Sequence, residues 1–205
     1  FELLLYPPFT DVILTPKSFT KELGPKQLKF NSFTELLYLH PNYFIPDAQV
    51  LKALGLDEGE DFALVRFVSW TASHDIVASG LTNVEKVELV AELSKRMKVF
   101  ISSEDELPLE LMQYEFSIHP QYLHDALYFA RLYIGEGGTT ASEAALLGTP
   151  AIYINSLSMG YIEEEIQWGL LHQCTELNQT LGAIEDVCDK HDKKHYQEKC
   201  VRLIQ

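Results

Sequence analysis

Basic residues are scarce in this chain. Sixteen Lys and Arg stand against thirty Asp and Glu, a formal net charge of −14 at pH 7. A surface that negative repels phosphate backbones and anionic headgroups, which argues against nucleic acid and membrane-surface partners. An anionic ligand would need a local site that overrides the field of the whole molecule. Cysteine is scarce too. Cys174, Cys188 and Cys200 are widely spaced, with no CxxC and no Cys/His ligand pattern around them. That excludes a disulfide framework, gives no metal site, and fits reduced thiols in a cytoplasmic protein. No apolar run approaches the roughly 18 residues of a membrane span. Leu3-Leu4-Leu5-Tyr6 is too short for a signal-peptide core and lacks a basic flank. Internal repeats and low-complexity tracts are missing as well. What remains is ordinary: 205 residues, 46 % hydrophobic and 22 % charged, enough for one sizeable core or two small ones. Because the chain starts at Phe1 without methionine and stops in an apparent helix at Gln205, it reads as a fragment of a longer protein.

Two textures follow one another. Up to about residue 45 there is one short strand pattern, Asp11-Val-Ile-Leu-Thr15, then Pro16. Ser18 to Leu23 reads as a short polar helix stopped by Gly24-Pro25, and Lys26 to Phe33 as an extended segment. Pro41, Pro46 and the aromatics Tyr38, Tyr43 and Phe44 suggest a structured connector. From Asp61 the pattern alternates. Phe62–Val68 is a nearly continuous apolar run, typical of a strand buried on both faces. Val99–Ile101, Phe116–Ile118, Leu132–Ile134 and Ala151–Ile154 read as further strands. Helical spacing links Val84, Val87, Val90, Leu93 and Met97, and recurs over Tyr122–Arg131 and Ala141–Leu147. Gly148 and Pro150 end the last of these, and everything from about Tyr161 reads as helical and charged. Such alternation predicts an α/β fold, a Rossmann-like parallel sheet with helices on both faces. Asp11–Thr15 is expected to lie outside that sheet. Ligands of such sheets bind in loops at the carboxyl ends of the strands.

The richest of these loops is Gly135-Glu-Gly-Gly-Thr-Thr-Ala-Ser-Glu143, between a buried strand and a helix. Gly137 and Gly138 permit close approach of a ligand and positive φ. Backbone amides at the helix start, with the positive end of the helix dipole, make an anion site that needs no lysine. Thr140-Ala-Ser-Glu143 also fits a capping box, Thr140 as N-cap and Glu143 reaching back from N3. On spacing alone Glu143 is a helix cap or a ligand contact, and both remain open. The loop is neither a full GxGxxG nor a GxxxxGK[ST].

Gly-Gly, a spacer, Glu143-Ala and then Leu147-Gly-Thr-Pro150 before a strand resembles the donor-site motif of GT-B glycosyltransferases. It is similar to the transferase that adds N-acetylglucosamine in lipid II synthesis, to UDP-N-acetylglucosamine 2-epimerases, and above all to a prokaryotic family of predicted glycosyltransferases. The resemblance also covers Asp11–Pro16, Glu35–Pro41, Arg66–Trp70 with Ala72–Asp75, and Ile101–Glu104. It implies the C-terminal half of a GT-B fold. Residues 1–45 would be the end of the N-terminal acceptor domain and the linker, and residues 46–205 the nucleotide-sugar donor domain. It implies a cytoplasmic glycosyltransferase with a nucleotide-sugar donor, UDP-linked, and no other cofactor. An epimerase-like enzyme and a non-catalytic nucleotide-binding domain are the alternatives. The catalytic base would lie in the other domain, so this chain names none, and the fragment alone would be inactive. The substrate-binding residues implied are His74, Ser102, Ser103, Glu136, Gly137, Gly138, Thr139, Thr140 and Glu143. Among them Gly137 and Gly138 would face the diphosphate, and Glu143 would bind both ribose hydroxyls.

Other residues admit two readings each. Ser73-His74-Asp75 cannot be a triad, because three consecutive residues do not point into one relay. His74 could donate to a phosphate, and Asp75 could cap the next segment. Arg66, inside an apolar run, needs a partner: an internal carboxylate or a phosphate. Ser102-Ser103-Glu104 is a ligand contact or a plain capping turn. His119 follows the third strand, where main-chain groups would hold a base. His124 and Tyr128, four apart, suggest packing, and His191 and His195 a solvated helix face rather than two metal ligands. Asn178-Gln-Thr180 is a glycosylation sequon without relevance in a cytoplasmic protein.

Overall fold

The computed structural model describes residues 7–57, 59–69, 80–116, 119–190 and 192–204. Strands β1 (Ile13–Pro16) and β2 (Gln27–Phe30) pair in parallel, Leu14 opposite Leu28, and stand apart from the main sheet. The expectation for Asp11–Thr15 is met. The polar helix expected at Ser18–Leu23 is absent, and a turn and an extended stretch stand there. Six residues hardly repay helix nucleation, and the Gln27 side chain takes their backbone groups. It accepts from the Leu23 amide at 2.7 Å and donates to the Lys21 carbonyl at 3.1 Å. The turn is also pinned from outside. A Cβ added to Gly160 would lie 1.7 Å from the Ser18 carbonyl oxygen, so only glycine fits there. Gly160→Ala is therefore expected to push the 17–24 turn off the rest of the molecule and cost about 1–3 kcal/mol. A lowered unfolding midpoint, with faster proteolysis in the first thirty residues, checks this.

The connector carries two short helices, α1 (Leu36–Leu39) and α2 (Gln49–Ala53). Then come β3 (Phe62–Phe67), α3 (Asn83–Ser94), β4 (Lys98–Ser103), α4 (Leu123–Phe129), β5 (Leu132–Gly135), α5 (Gly138–Leu146), β6 (Ala151–Ile154), α6 (Gly160–Gln167), β7 (Leu171–Cys174), α7 (Leu177–Lys190) and α8 (Lys193–Ile204). The five later strands form one parallel sheet in the order β4-β3-β5-β6-β7. Period-two alternation divides their side chains between two cores. Phe62, Leu64, Tyr133, Ala151 and Tyr153 meet α1, α2, α4, α5 and α6. Ala63, Val65, Leu132, Ile134, Ile152 and Ile154 meet α3 and α7. Helices cover both faces, as the continuous apolar runs require.

One expectation along the chain is corrected, and another falls mostly on residues outside the described ones. Of the strand read at Phe116–Ile118 only Phe116 is described, and its amide donates to the Ile101 carbonyl at 3.1 Å. Glu115 makes one isolated bridge to Ile101, and residues 117 and 118 lie outside the described residues. The stretch after Tyr161 is not helical throughout, because Gly169 (φ +65°) stops α6 and the half-buried edge strand β7 follows. Among the described residues no helix is long and apolar enough to cross a membrane.

Candidate functional site

The strand order reverses at β3. Its successor β4 lies on one side and β5 on the other, which opens a crevice at the carboxyl ends of β3 and β5. The glycine-rich loop sits there. Helix α5 begins at Gly138, earlier than the pattern suggested, with Gly137 as N-cap. Neither Gly137 nor Gly138 has positive φ. Closeness explains them instead: a Cβ on Gly138 would lie 2.6 Å from Met159 Cε, and one on Gly137 3.4 Å from Val68 Cγ1. Positive φ is needed at the other end, where Gly148 (φ +75°) stops α5 as read from the sequence.

No side chain caps α5, and no acidic residue lies in its first turn. The capping box is thereby overturned. Thr140 is inside the first turn rather than at the N-cap, so Glu143 is out of reach of the helix start. The early amides of Gly138, Thr139 and Thr140 are left to whatever approaches the helix end. Thr139 is exposed, and Gly137, Gly138 and Thr140 are half-buried. The nearby cation is spoken for. Arg66 donates to Ser102 Oγ at 3.1 Å and to Glu104 Oε1 at 2.8 Å, the internal pair of the two readings. The other Glu104 oxygen accepts from the Ser69 amide at 3.2 Å. Arg66, Ser102, Ser103, Glu115 and Phe116 line a cavity of about 410 Å³ beside the crevice.

Glu136 is 1 % exposed and turned inward. One carboxylate oxygen accepts from the Val68 amide and the other from the Leu81 amide, each at 3.0 Å. Asn155 donates to the Glu136 carbonyl at 3.2 Å. The side chain thus ties together both ends of the segment after β3, and α3 begins beside it. There Thr82 accepts from the Glu85 amide at 3.3 Å, and Glu85 accepts from the Thr82 amide at 2.8 Å, a true capping box. His74 and Asp75 lie in that segment, outside the described residues.

Glu143 lies one and a half turns into α5, about 7.5 Å along its axis from Gly138. It is 7 % exposed. Its Oε1 accepts from the Tyr38 hydroxyl at 2.9 Å and stands 3.1 Å from His124 Nε2. Packing was the sequence expectation for His124, and this contact was missed. The only available signal was that α4 and α5 neighbour one another in any such fold. Beneath Glu143, Ser142 Oγ donates to Glu165, a carboxylate on α6 that is 0 % exposed. Burial drives the Glu165 carboxyl up to about 8, with the Ser142 bond opposing and the charges of Glu35 and Glu164 adding. Glu35, also buried, is raised for the same first cause. Among the described residues no cluster of His, Cys, Asp and Glu is arranged to hold a metal ion. His119 accepts from the Gln121 amide at its short helix start, and His195 stacks edge-on against Tyr196.

No family model matches the sequence, and no curated protein matches it. Solved structures do. A putative UDP-N-acetylglucosamine 2-epimerase from Listeria monocytogenes superposes with a TM-score of 0.52 at 15 % identity, over 77 % of this chain and 43 % of that one. The wall teichoic acid polymerase TagF gives a TM-score of 0.52 at 14 % identity, over 94 % of this chain and 52 % of that one. The UDP-GlcNAc 2-epimerase from Neisseria meningitidis, solved bound to UDP-GlcNAc, gives 0.51 at 12 % identity, over 74 % and 42 %. This chain spans about half the length of the structures it matches. Five parallel strands, helices on both faces and these superpositions give the chain the GT-B glycosyltransferase and 2-epimerase-like fold.

Proposed function

We propose that this chain is the donor-binding part of a GT-B glycosyltransferase and takes a UDP-linked sugar. The observation that carries the reading is α5. It opens uncapped at the reversal of strand order, and its one carboxylate, Glu143, is buried and not spent on the cap. The diphosphate would lie against the amides of Gly138, Thr139 and Thr140, where the helix dipole favours negative charge without a lysine. The ribose diol would reach Glu143. Ser102 and Ser103 would lie beside the nucleotide, and His74 would approach from the segment after β3. The catalytic base would come from the other domain. Glu136 supports the loop from within.

Residues 1–45 are the end of the acceptor domain and the linker in this proposal, and residues 46–205 the donor domain. Val12, just before β1, and Leu14 and Leu28 on the β1–β2 pair are 51 %, 69 % and 56 % exposed. Parallel pairs are stable when covered, so this uncovered pair suits the edge of a larger unit. A 2-epimerase reading has its own support in the epimerase superpositions, and both readings share the nucleotide-sugar. The chain alone is expected to bind UDP weakly and to transfer no sugar. Calorimetry with UDP, and a radiolabelled transfer assay, test this. Sugar transfer by the chain alone would contradict the two-domain proposal, and loss of UDP-GlcNAc to an epimeric sugar would favour the second reading.

A further inference from the structure

The connector reaches into the candidate ribose site. Tyr38, on α1, donates its hydroxyl to Glu143 Oε1 at 2.9 Å, and His124 Nε2 stands 3.1 Å from the same oxygen. The Tyr38 and His124 rings are 5.5 Å apart, and Phe44 meets His124 edge-on at 6.2 Å. A carboxylate that grips a ribose diol offers one oxygen to each hydroxyl. Here one oxygen already has two neighbours, as many as its lone pairs serve. A diol arriving at Glu143 must displace one of them. His124 belongs to α4, whose Ala126 and Leu127 are fully buried, and its side chain is 30 % exposed. Tyr38 is the more exposed of the two. Its neighbours Leu36 and Leu39 are anchored at 8 % and 2 % exposure, while Tyr38 itself is 44 % exposed. The side chain can swing outward without moving the backbone that carries it.

We infer that Tyr38 is a latch on the ribose site, a side chain of the connector that competes with the ribose hydroxyls for Glu143 and is released when the nucleotide binds. The inference rests on the nucleotide reading above and adds to it. It makes donor binding sense the connector, because the hydroxyl that must leave is mounted on the segment that joins the two parts of the chain. Burial, then the bond to Glu143, raises the Tyr38 hydroxyl above its ordinary pKa, so it remains a donor at neutral pH.

The test is Tyr38→Phe, which keeps the ring and removes the competing hydroxyl. Titration calorimetry with UDP is expected to show about tenfold tighter binding than the wild type, the scale of one hydrogen bond to a charged group. A UDP analogue lacking both ribose hydroxyls is expected to bind both proteins equally. If Tyr38 merely positions Glu143, the variant binds UDP equally or more weakly, and the latch is overturned. Equal tightening for both nucleotides also overturns it, since the effect would not pass through the diol. Absence of UDP binding to both proteins at millimolar concentration, with unfolding midpoints intact, removes the nucleotide reading and the latch with it.

Discussion

Glu143→Gln is expected to weaken UDP binding by about tenfold to a hundredfold while the unfolding midpoint barely moves. A carboxylate can accept a charge-assisted hydrogen bond from each ribose hydroxyl. Glutamine offers one carbonyl and turns a donor toward the second hydroxyl. Such bonds are worth roughly 1.5–3 kcal/mol, and each 1.4 kcal/mol is about tenfold in affinity. The fold tolerates the change, because the glutamine carbonyl still accepts from the Tyr38 hydroxyl that now bonds Glu143. With Gly137 at the N-cap, no capping bond is lost. The control is the nucleotide without ribose hydroxyls, which should bind wild type and variant alike. Unchanged affinity with a lowered midpoint would make Glu143 a structural residue.

Glu165→Gln should act the other way, on stability and not on binding. Glu165 is fully buried, accepts from Ser142 on one oxygen, and leaves the other without a partner among the described residues. Burial pushes its carboxyl from the unperturbed 4.5 up to about 8. A raised folded-state value means that the native state holds the proton longer. Stability is therefore greatest below pH 4.5 and is lost as pH rises through about 8. The loss is on the order of a few kcal/mol, since one unit is worth about 1.4 kcal/mol. Glutamine keeps an acceptor for Ser142 and removes the ionisation. The variant should match wild type at pH 4.5 and exceed it at pH 8.5, by about 5–10 °C in unfolding midpoint. A difference independent of pH would mean that Glu165 does not ionise in this window.

The features legible in the sequence were those written in hydrophobic pattern. β3, β5 and β6 are continuous apolar runs, and Gly148-Thr-Pro150 marks the end of α5, so the parallel sheet and its crevice followed. Elements held by polar side chains were not legible. The Ser18–Leu23 segment has helical composition, yet Gln27, four residues beyond it, claims its backbone. β7 reads Leu171-His-Gln-Cys174, too polar for a buried strand, and only Gly169 before it signals a helix stop. The site shows the same division. Glycines and Glu143 stood out by spacing, but the partners of Glu143 come from Tyr38, 105 residues upstream, and His124, 19 residues upstream. Separations of that kind carry no periodic signature. Glu136 is legible as part of the loop, while its two amide partners, Val68 and Leu81, come together only once β3 and β5 are side by side.

The central claim is that the start of α5 holds the diphosphate of a nucleotide and Glu143 its ribose. Backbone amide chemical shifts, followed by NMR through a UDP titration, test it most directly. The account predicts saturable shifts at Gly137, Gly138, Thr139 and Thr140, with a second group at Tyr38, His124 and Glu143, and no comparable change around the uncovered β1–β2 pair. Saturable shifts confined to any other part of the molecule, with the α5 amides unmoved, would contradict it.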